Sequence, residues 1–201
     1  MQKDDLNKAA VLDVMGCRYQ VCILSDSFVK VILDALGKTN TEKIWAKTER
    51  TSTVYRGKRV HVVDCVKACF SHTYSKASPF ISMSATFTKD SSDDMSKDCI
   101  IADDDVLLNY TQKTFNVVGR VSLNVIGAGD HEAHTAAMVD FAVKRGIYTG
   151  EGYYTHNVEG NVHDMFNFVN DVLEYGNKNI GHYAFETSMV IYDIEAKEAG
   201  I

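Results

Sequence analysis

Residues 43–57, KIWAKTERTSTVYRG, decide the fold of this chain. Two short runs rich in β-branched and aromatic residues flank a polar turn at 48–50, a pattern that predicts a β-hairpin. The only tryptophan, Trp45, lies close to a cluster of hydroxyl side chains. A flat aromatic side chain beside short donor–acceptor groups suits a small polar heterocycle. The alternative is an ordinary exposed hairpin whose threonines only favour strand. The hydroxyl cluster consists of Thr48, Thr51, Ser52 and Thr53.

The elements around the hairpin predict a compact unit. Residues 17–24 have the apolar content of a strand, and the next segment has an amphipathic helical stripe. After Gly57 a second helix is predicted, and residues 80–88 form a last strand. The order strand, helix, strand, strand, helix, strand is typical of the split-βαβ, or ferredoxin-like, arrangement. The stripe of the first helix is expected to face the sheet with Phe28, Val31, Ile32, Ala35 and Leu36.

The same order returns in the second half of the chain. Gly119 follows Gly16 by 103 residues, and a strand is predicted after each. The same offset aligns Ile44 with Ile147, Trp45 with Tyr148 and Gly57 with Gly160. We interpret this register as an internal duplication. The predicted fold class is therefore α+β, with tandem duplicated ferredoxin-like (βαββαβ) repeats and antiparallel sheets that carry helices on one face.

The predicted organisation has four parts: an N-terminal arm at 1–15, a first repeat at 16–88, an acidic linker at 89–116 and a second repeat at 117–201. The aspartates of the linker could bind a metal, but runs of like charge are more typical of a solvated segment. The five cysteines include no CxxC pair. We therefore expect no metal site. Open sheet faces and edges predict a homodimer.

Composition excludes several classes of function. The 201 residues are 45% hydrophobic, which is enough for a packed core, and their net charge of −6 argues against nucleic-acid binding. Acidic residues occupy the N-terminal segment, and no apolar run approaches about 18 residues. We expect a soluble, cytoplasmic protein without membrane insertion. No motif for nucleophilic or acid–base catalysis is present, so no catalytic residues are predicted.

Two segments resemble a known family. TEKIWAKTERTSTVYRG at 41–57 and GNVHDMF at 160–166 are similar to motifs of the YkoF family of thiamine/hydroxymethylpyrimidine-binding proteins. The resemblance implies tandem ferredoxin-like repeats, a dimer, and non-catalytic binding of thiamine or its hydroxymethylpyrimidine moiety, with no other cofactor. It implies a role in uptake, salvage or delivery of thiamine and pyrimidine precursors. The alternatives are an enzyme acting on a pyrimidine or cofactor precursor, and a ligand-responsive regulatory dimer module.

The resemblance also implies site residues. In the second half Tyr154 and Asp164 fit the family pattern, whereas His156 departs from it, and Tyr148 could cover a ring as the counterpart of Trp45. We therefore expect the second half to bind a different ligand, to bind weakly, or not to bind. Strand alternation leaves open which sheet face holds the ligand. The first motif matches the family at Trp45, Lys47, Thr48, Glu49, Ser52 and Thr53.

Overall fold

The computed structural model describes residues 13–75, 80–89, 100–127 and 129–191. Most of the predicted N-terminal arm lies outside these residues. The α+β class is confirmed, and both halves of the chain have the order strand, helix, strand, strand, helix, strand. The elements are β1 (Val14–Ile23), α1 (Phe28–Lys38), β2 (Ile44–Thr48), β3 (Thr53–Lys58), α2 (Arg59–Thr73), β4 (Ile81–Lys89), β5 (Asn116–Ile126), α3 (His131–Lys144), β6 (Tyr148–Gly152), β7 (Thr155–Asn161), α4 (Val162–Asn179) and β8 (His182–Ile191).

The eight strands of the described residues form one antiparallel sheet in the order β2-β3-β1-β4-β8-β5-β7-β6. The prediction of separate sheets is therefore corrected. The last strand of each half would otherwise be an edge with unpaired backbone groups, and β4 and β8 satisfy each other by pairing from Ser82↔Val190 to Thr88↔Ala184. The two halves thus meet edge to edge at the centre of the sheet.

The strand register corrects the alignment of Gly16 with Gly119. Met15 lies opposite Gly57 and Val117 lies opposite Gly160, so the spacing between the first strands is 117 − 15 = 102 residues. Gly16 and Gly119 consequently point to opposite faces of the sheet, since side chains alternate along a strand. The strand and helix order is compatible with duplicated ferredoxin-like units, and the duplication itself stays a prediction.

The hydrophobic core lies between the sheet and the helices. Alternate residues of the central strands are buried, as in β4, where Met83 and Phe87 are fully covered. Helix α2 is buried along most of its length, but Ala35 is the only buried residue of α1. The expectation that Phe28 faces inward was wrong, because this first residue of α1 is 48% exposed. None of the helices in the described ranges is long and apolar enough to cross a membrane.

The described part of the acidic linker is held against the first half of the chain. Asp104 forms an ion pair with Lys43, and Asp105 forms one with Lys58 at 2.6 Å. The side chain of Asn109 donates to the Asp64 carboxylate at 2.9 Å. Residues 100–115 are thus anchored by lysines and an aspartate on neighbouring elements, while Asp103, Asp104 and Asp105 are exposed. The assignment of the segment as a solvated linker stays a prediction. Residues 90–99 lie outside the described part.

The central strand pair predicts where the fold is most sensitive. Phe185 of β8 is fully buried and lies 6.4 Å, centroid to centroid, from Phe87 of β4. We expect Phe185→Ala to lower the free energy of unfolding by about 3–5 kcal/mol through lost burial and a cavity. Phe28→Ala is the matched control and should change it by no more than about 1 kcal/mol. Urea denaturation measures both, and equal losses would contradict the assigned core.

Candidate functional site

The tip of the first hairpin brings together short hydroxyl side chains. Thr48 and Thr53 are cross-strand partners whose Oγ1 atoms lie 3.1 Å apart, within hydrogen-bonding distance. The Glu49 amide donates to the Ser52 carbonyl at 2.8 Å and closes the turn. Because Tyr55 follows Thr53 by two residues on β3 and is buried, both threonines lie on the helix side of the sheet. Of the hydroxyl cluster, Ser52 and Thr53 are therefore buried in the first half, whereas Thr48 and Thr51 are exposed at the hairpin tip.

These residues border a cavity of about 170 Å³ between the hairpin tip, β1, α1 and α2. Ser52 lines the cavity and is only 7% exposed. Its buried Oγ has no hydrogen-bond partner within the described part of the chain. A buried hydroxyl is normally hydrogen-bonded, so this atom marks a place where a polar group is missing. The lining residues are Tyr19, Gln20, Val21, Ile32, Leu36, Thr48, Glu49, Arg50, Thr51, Ser52, Thr53, Cys69 and Thr73.

Tyr19 lines this cavity and belongs to a buried tyrosine pair. The Tyr19 hydroxyl donates to the Tyr55 hydroxyl at 2.8 Å, and the two rings lie 5.1 Å apart. Burial raises the pKa of Tyr19 and of the neighbouring Cys69 thiol. Both groups therefore stay neutral at physiological pH, and Cys69 lacks the thiolate character of a nucleophile. The cavity offers uncharged hydrogen-bonding groups rather than reactive ones.

Sequence reasoning did not select Tyr19 or Cys69 as site residues. Tyr19 lies on β1, outside the hairpin motif, and reaches the site as the cross-strand partner of Thr53. Cys69 lies near the end of α2 and was predicted only to be buried at or near the core, which its 2% exposure confirms. The alternation of β1 could have indicated an inward Tyr19, but its position beside the hairpin follows from strand pairing.

Two predicted residues of the first motif lie elsewhere. Trp45 pairs with Arg56, and Lys47 pairs with Val54, so both point to the sheet face opposite Thr48 and Thr53. Lys47 is connected to the site through Glu49, with which it forms an ion pair of 3.1 Å. The structure thus brings together Thr48, Glu49, Ser52 and Thr53. It joins Lys47 to this group only through Glu49 and places Trp45 on the opposite sheet face.

The second half has a different arrangement. The rings of Tyr148 and His156 lie 6.2 Å apart, and the buried Nδ1 of His156 has no hydrogen-bond partner among the described residues. Tyr154 lies in the hairpin turn with a φ of 56° and is 85% exposed. Asp164 is exposed in the first turn of α4, near Lys67 of α2. The structure therefore brings together only Tyr148 and His156.

The tyrosine pair of the first half has no counterpart in the second. Val121 is the cross-strand partner of His156, as Tyr19 is of Thr53. Val158 lies two residues after His156, as Tyr55 does after Thr53, and both are buried. Two valines therefore replace two phenols. The second hairpin has one unpaired imidazole nitrogen where the first has hydroxyl groups.

Other possible sites do not involve the hairpin motif. A larger cleft of about 710 Å³ lies between α2 and α4, but no residue of the first motif lines it. Within the described ranges no group of three or more His, Cys, Asp or Glu side chains is placed to hold a metal ion. The hairpin cavity is the candidate site because it combines four predicted residues with an unpaired buried hydroxyl.

Comparison with known proteins identifies related sequences. Residues 14–94, which include β1 to β4 and the whole hairpin cavity, match the YKOF-related family. The chain is also 26% identical over 179 residues to the protein named "Putative HMP/thiamine-binding protein YkoF" from Bacillus subtilis (strain 168), where HMP denotes hydroxymethylpyrimidine. That alignment covers 88% of this chain and 89% of the relative. The resemblance to the YkoF family stated from the motifs is thus confirmed.

The buried thiols and phenols predict a loss of stability at high pH. Burial raises the pKa of Cys17, Tyr19, Tyr55 and Cys69 above the ordinary values of 9.0 for a thiol and 10.0 for a phenol, and that of Cys65 to about 12. Above about pH 9 the unfolded chain therefore releases protons that the folded chain retains, and the free energy of unfolding must fall as pH rises. Each ionising group contributes up to about 1.4 kcal/mol per pH unit.

Urea denaturation between pH 8 and 11 measures this slope. Cys17→Ala should make it shallower because one buried thiol is removed. The exposed Cys22 provides the control, since Cys22→Ser should leave the slope unchanged. A free energy of unfolding that is flat across this range would contradict the assignment of these groups as buried and neutral.

Proposed function

We propose that this protein binds thiamine or its hydroxymethylpyrimidine moiety, without catalysing a reaction, in the cavity at the first hairpin. The buried, unpaired Oγ of Ser52 is the observation that carries the proposal. The name of the Bacillus subtilis relative supports this ligand class. The neutral Tyr19 and Cys69 side chains support binding rather than chemistry, because neither of these two groups is activated as a nucleophile.

The chemistry of an aminopyrimidine matches these groups. Its exocyclic amine donates hydrogen bonds and its ring nitrogens accept them, while a hydroxyl side chain can do either. Ser52, Thr53 and Thr48 supply such hydroxyls on the helix side of the hairpin. A cavity of about 170 Å³ is smaller than the usual drug-sized pocket, so it suits a single ring. In our proposal the thiazolium of thiamine extends toward the turn and the Glu49 carboxylate.

Ser52→Ala tests the proposal directly. We expect thiamine affinity to fall by roughly two- to tenfold, the effect of one neutral hydrogen bond, while the stability of the unliganded protein stays the same or rises. Stability should not fall because the variant removes a buried hydroxyl that has no partner in the unliganded protein. Calorimetric titration with thiamine and with hydroxymethylpyrimidine measures the affinities. Ser84→Ala is the control, since Ser84 is exposed on the opposite sheet face.

A substitution of Trp45 distinguishes the two faces of the sheet. If the ligand occupies the helix-side cavity, Trp45→Ala should leave affinity within a factor of about two, as for an unrelated surface position. A loss at Trp45 together with a silent Ser52→Ala would place the ligand on the open face and would refute the proposed site.

The charge of Glu49 is expected to affect the affinity for thiamine but not that for hydroxymethylpyrimidine. Glu49→Gln should weaken thiamine binding by about 0.2–1 kcal/mol, the range measured for exposed ion pairs. The affinity for the uncharged hydroxymethylpyrimidine should stay the same. The effect should shrink at high salt. Lys47→Gln is the matched control, because it frees the Glu49 carboxylate from its ion pair and should strengthen thiamine binding. Equal changes for both ligands would show that Glu49 does not contact the cationic ring.

The second half is proposed to bind the pyrimidine more weakly. The unpaired Nδ1 of His156 supports a polar ligand there, but the tyrosine pair is replaced by Val121 and Val158. Tyr148 lies beside His156 and could cover a ring. In the proposed arrangement His156→Ala abolishes only a weak binding phase, and the strong phase at the first hairpin is unchanged.

A cellular role is proposed together with the ligand. We propose a cytoplasmic binding protein that serves uptake, salvage or delivery of thiamine precursors, with no cofactor beyond the bound ligand. The acid–base groups that an enzyme would need are not gathered at the cavity, where Glu49 is the only carboxylate among the lining residues. Incubation with thiamine followed by chromatography tests the enzymatic alternative, since turnover would produce a new pyrimidine or thiazole compound.

Assembly into a homodimer is also proposed. The helices of the described part lie on one face of the sheet, and β2 and β6 are its edge strands. Such faces and edges are commonly covered by a second subunit. We expect sedimentation at micromolar concentration to give twice the chain mass of 22.4 kDa. Sedimentation as a monomer across that range would refute the dimer, and a ligand-dependent mass would favour a regulatory module.

A further inference from the structure

The cleft between α2 and α4 has no role in the function proposed above. It lies where the helices of the two halves meet, and residues 105–112 form its third wall. Its volume of about 710 Å³ is within the range of small-molecule sites, roughly 300–1,000 Å³. The cleft is therefore large enough for a ligand of its own.

The third wall is preformed. Asn109 binds Asp64 through its amide at 3.1 Å and its side chain at 2.9 Å, and it exchanges two further hydrogen bonds with the backbone of Asn40. Lys113 donates to the Tyr74 carbonyl at 2.9 Å. These contacts fix the segment on α2, so the cleft requires no folding of this wall when a ligand binds. The Asp64 carboxylate is occupied by this anchoring.

The cleft combines an apolar surface with unpaired donors. Buried Val63 and Phe166 face it together with the exposed Leu107. Lys67 is half-buried in the wall and makes no hydrogen bond or ion pair with the described residues. Asn167 also lines the cleft and is exposed on α4.

Two carboxylates that line the cleft, those of Asp64 and Asp105, already have other partners. Asp64 accepts three hydrogen bonds from residues 108–109, and Asp105 is paired with Lys58. Burial lowers the pKa of Lys67, while Asp64 and Asp164 act in the opposite direction. Lys67 is thus partly desolvated and attracted by two carboxylates, yet it makes no direct hydrogen bond or ion pair with the described residues, so its ammonium donors are available to a bound anion.

We propose that this cleft binds a small amphiphilic anion, with its anionic head at Lys67 and Asn167 and its apolar body against Phe166 and Leu107. The head is a carboxylate, sulfonate or phosphate, since each presents oxygen acceptors to an ammonium group. The apolar body is a flat ring or a short chain that fits between two helices. The site is independent of the hairpin cavity and of the function proposed for it.

The probe for the test is 8-anilino-1-naphthalenesulfonate, which has a flat apolar body and one anionic head. Its fluorescence should show saturable binding to the full chain, and amide chemical shifts should change at Leu107, Asn109 and Asn167. Lys67→Gln should weaken binding roughly tenfold or more, as expected for a charge-assisted hydrogen bond. Lys30→Gln is the control, because Lys30 is exposed on α1.

Asn167→Asp provides a second variant. It places a carboxylate at an exposed position of the cleft and should weaken the probe through repulsion without disturbing the core. Competition separates the possible heads: 2-naphthoate and 1-naphthyl phosphate should displace the probe, whereas neutral 2-naphthalenemethanol should compete at least tenfold less well. The stronger of the two anionic competitors identifies the preferred head.

Three results would overturn the proposal. The first is probe binding that is unchanged in both Lys67→Gln and Asn167→Asp. The second is a set of shift changes centred on the hairpin or the open sheet face. The third is complete competitive displacement of the probe by thiamine, which would assign the dye to the hairpin cavity. Probe binding that survives saturating thiamine supports a separate site.

Discussion

The pairing of β4 with β8 is the interaction on which the rest of the structure depends. It joins two four-stranded halves into one sheet and satisfies two edges at once. It also places the helices of both halves on a common face, where α2 and α4 are neighbours. The hairpins β2–β3 and β6–β7 are thereby held at the outer ends of the sheet, so each ligand-binding hairpin of the proposal has its own surroundings.

Local sequence patterns were sufficient to predict the order of the elements. Apolar residues recur with a period of 2 in a strand and of 3.6 in a helix when one face of the element is buried. This periodicity can be recognised from residues that are close together in the sequence. The hairpin and the burial of Ile44 follow from such patterns. The burial of both Ser52 and Thr53 does not, because neighbouring strand residues are expected to point to opposite faces. The pairing of β4 with β8, about 100 residues apart in the sequence, does not follow from local patterns either. Backbone hydrogen bonds between strands leave little trace in the side-chain sequence.

The misplaced register of Gly16 and Gly119 illustrates the same limit. The two glycines are 103 residues apart, but the paired positions of the two first strands are 102 residues apart. Because side chains alternate along a strand, this shift of one residue places the two glycines on opposite sheet faces. Likewise, the clustered composition of residues 43–57 did not distinguish Trp45 from Thr53. Only the cross-strand contacts of Tyr55 and Tyr19 show which side of the hairpin is enclosed.

Helix α2 borders two separate cavities along its length. Its first half, from Val60 to Lys67, lines the cleft beside α4, and its last turns, with Cys69 and Thr73, line the hairpin cavity. At about 1.5 Å per residue the helix is a rod of about 22 Å, and close packing makes it move as one body. The two cavities thus share one rigid wall while keeping separate lining residues. A core substitution that displaces α2 is therefore expected to perturb both of them.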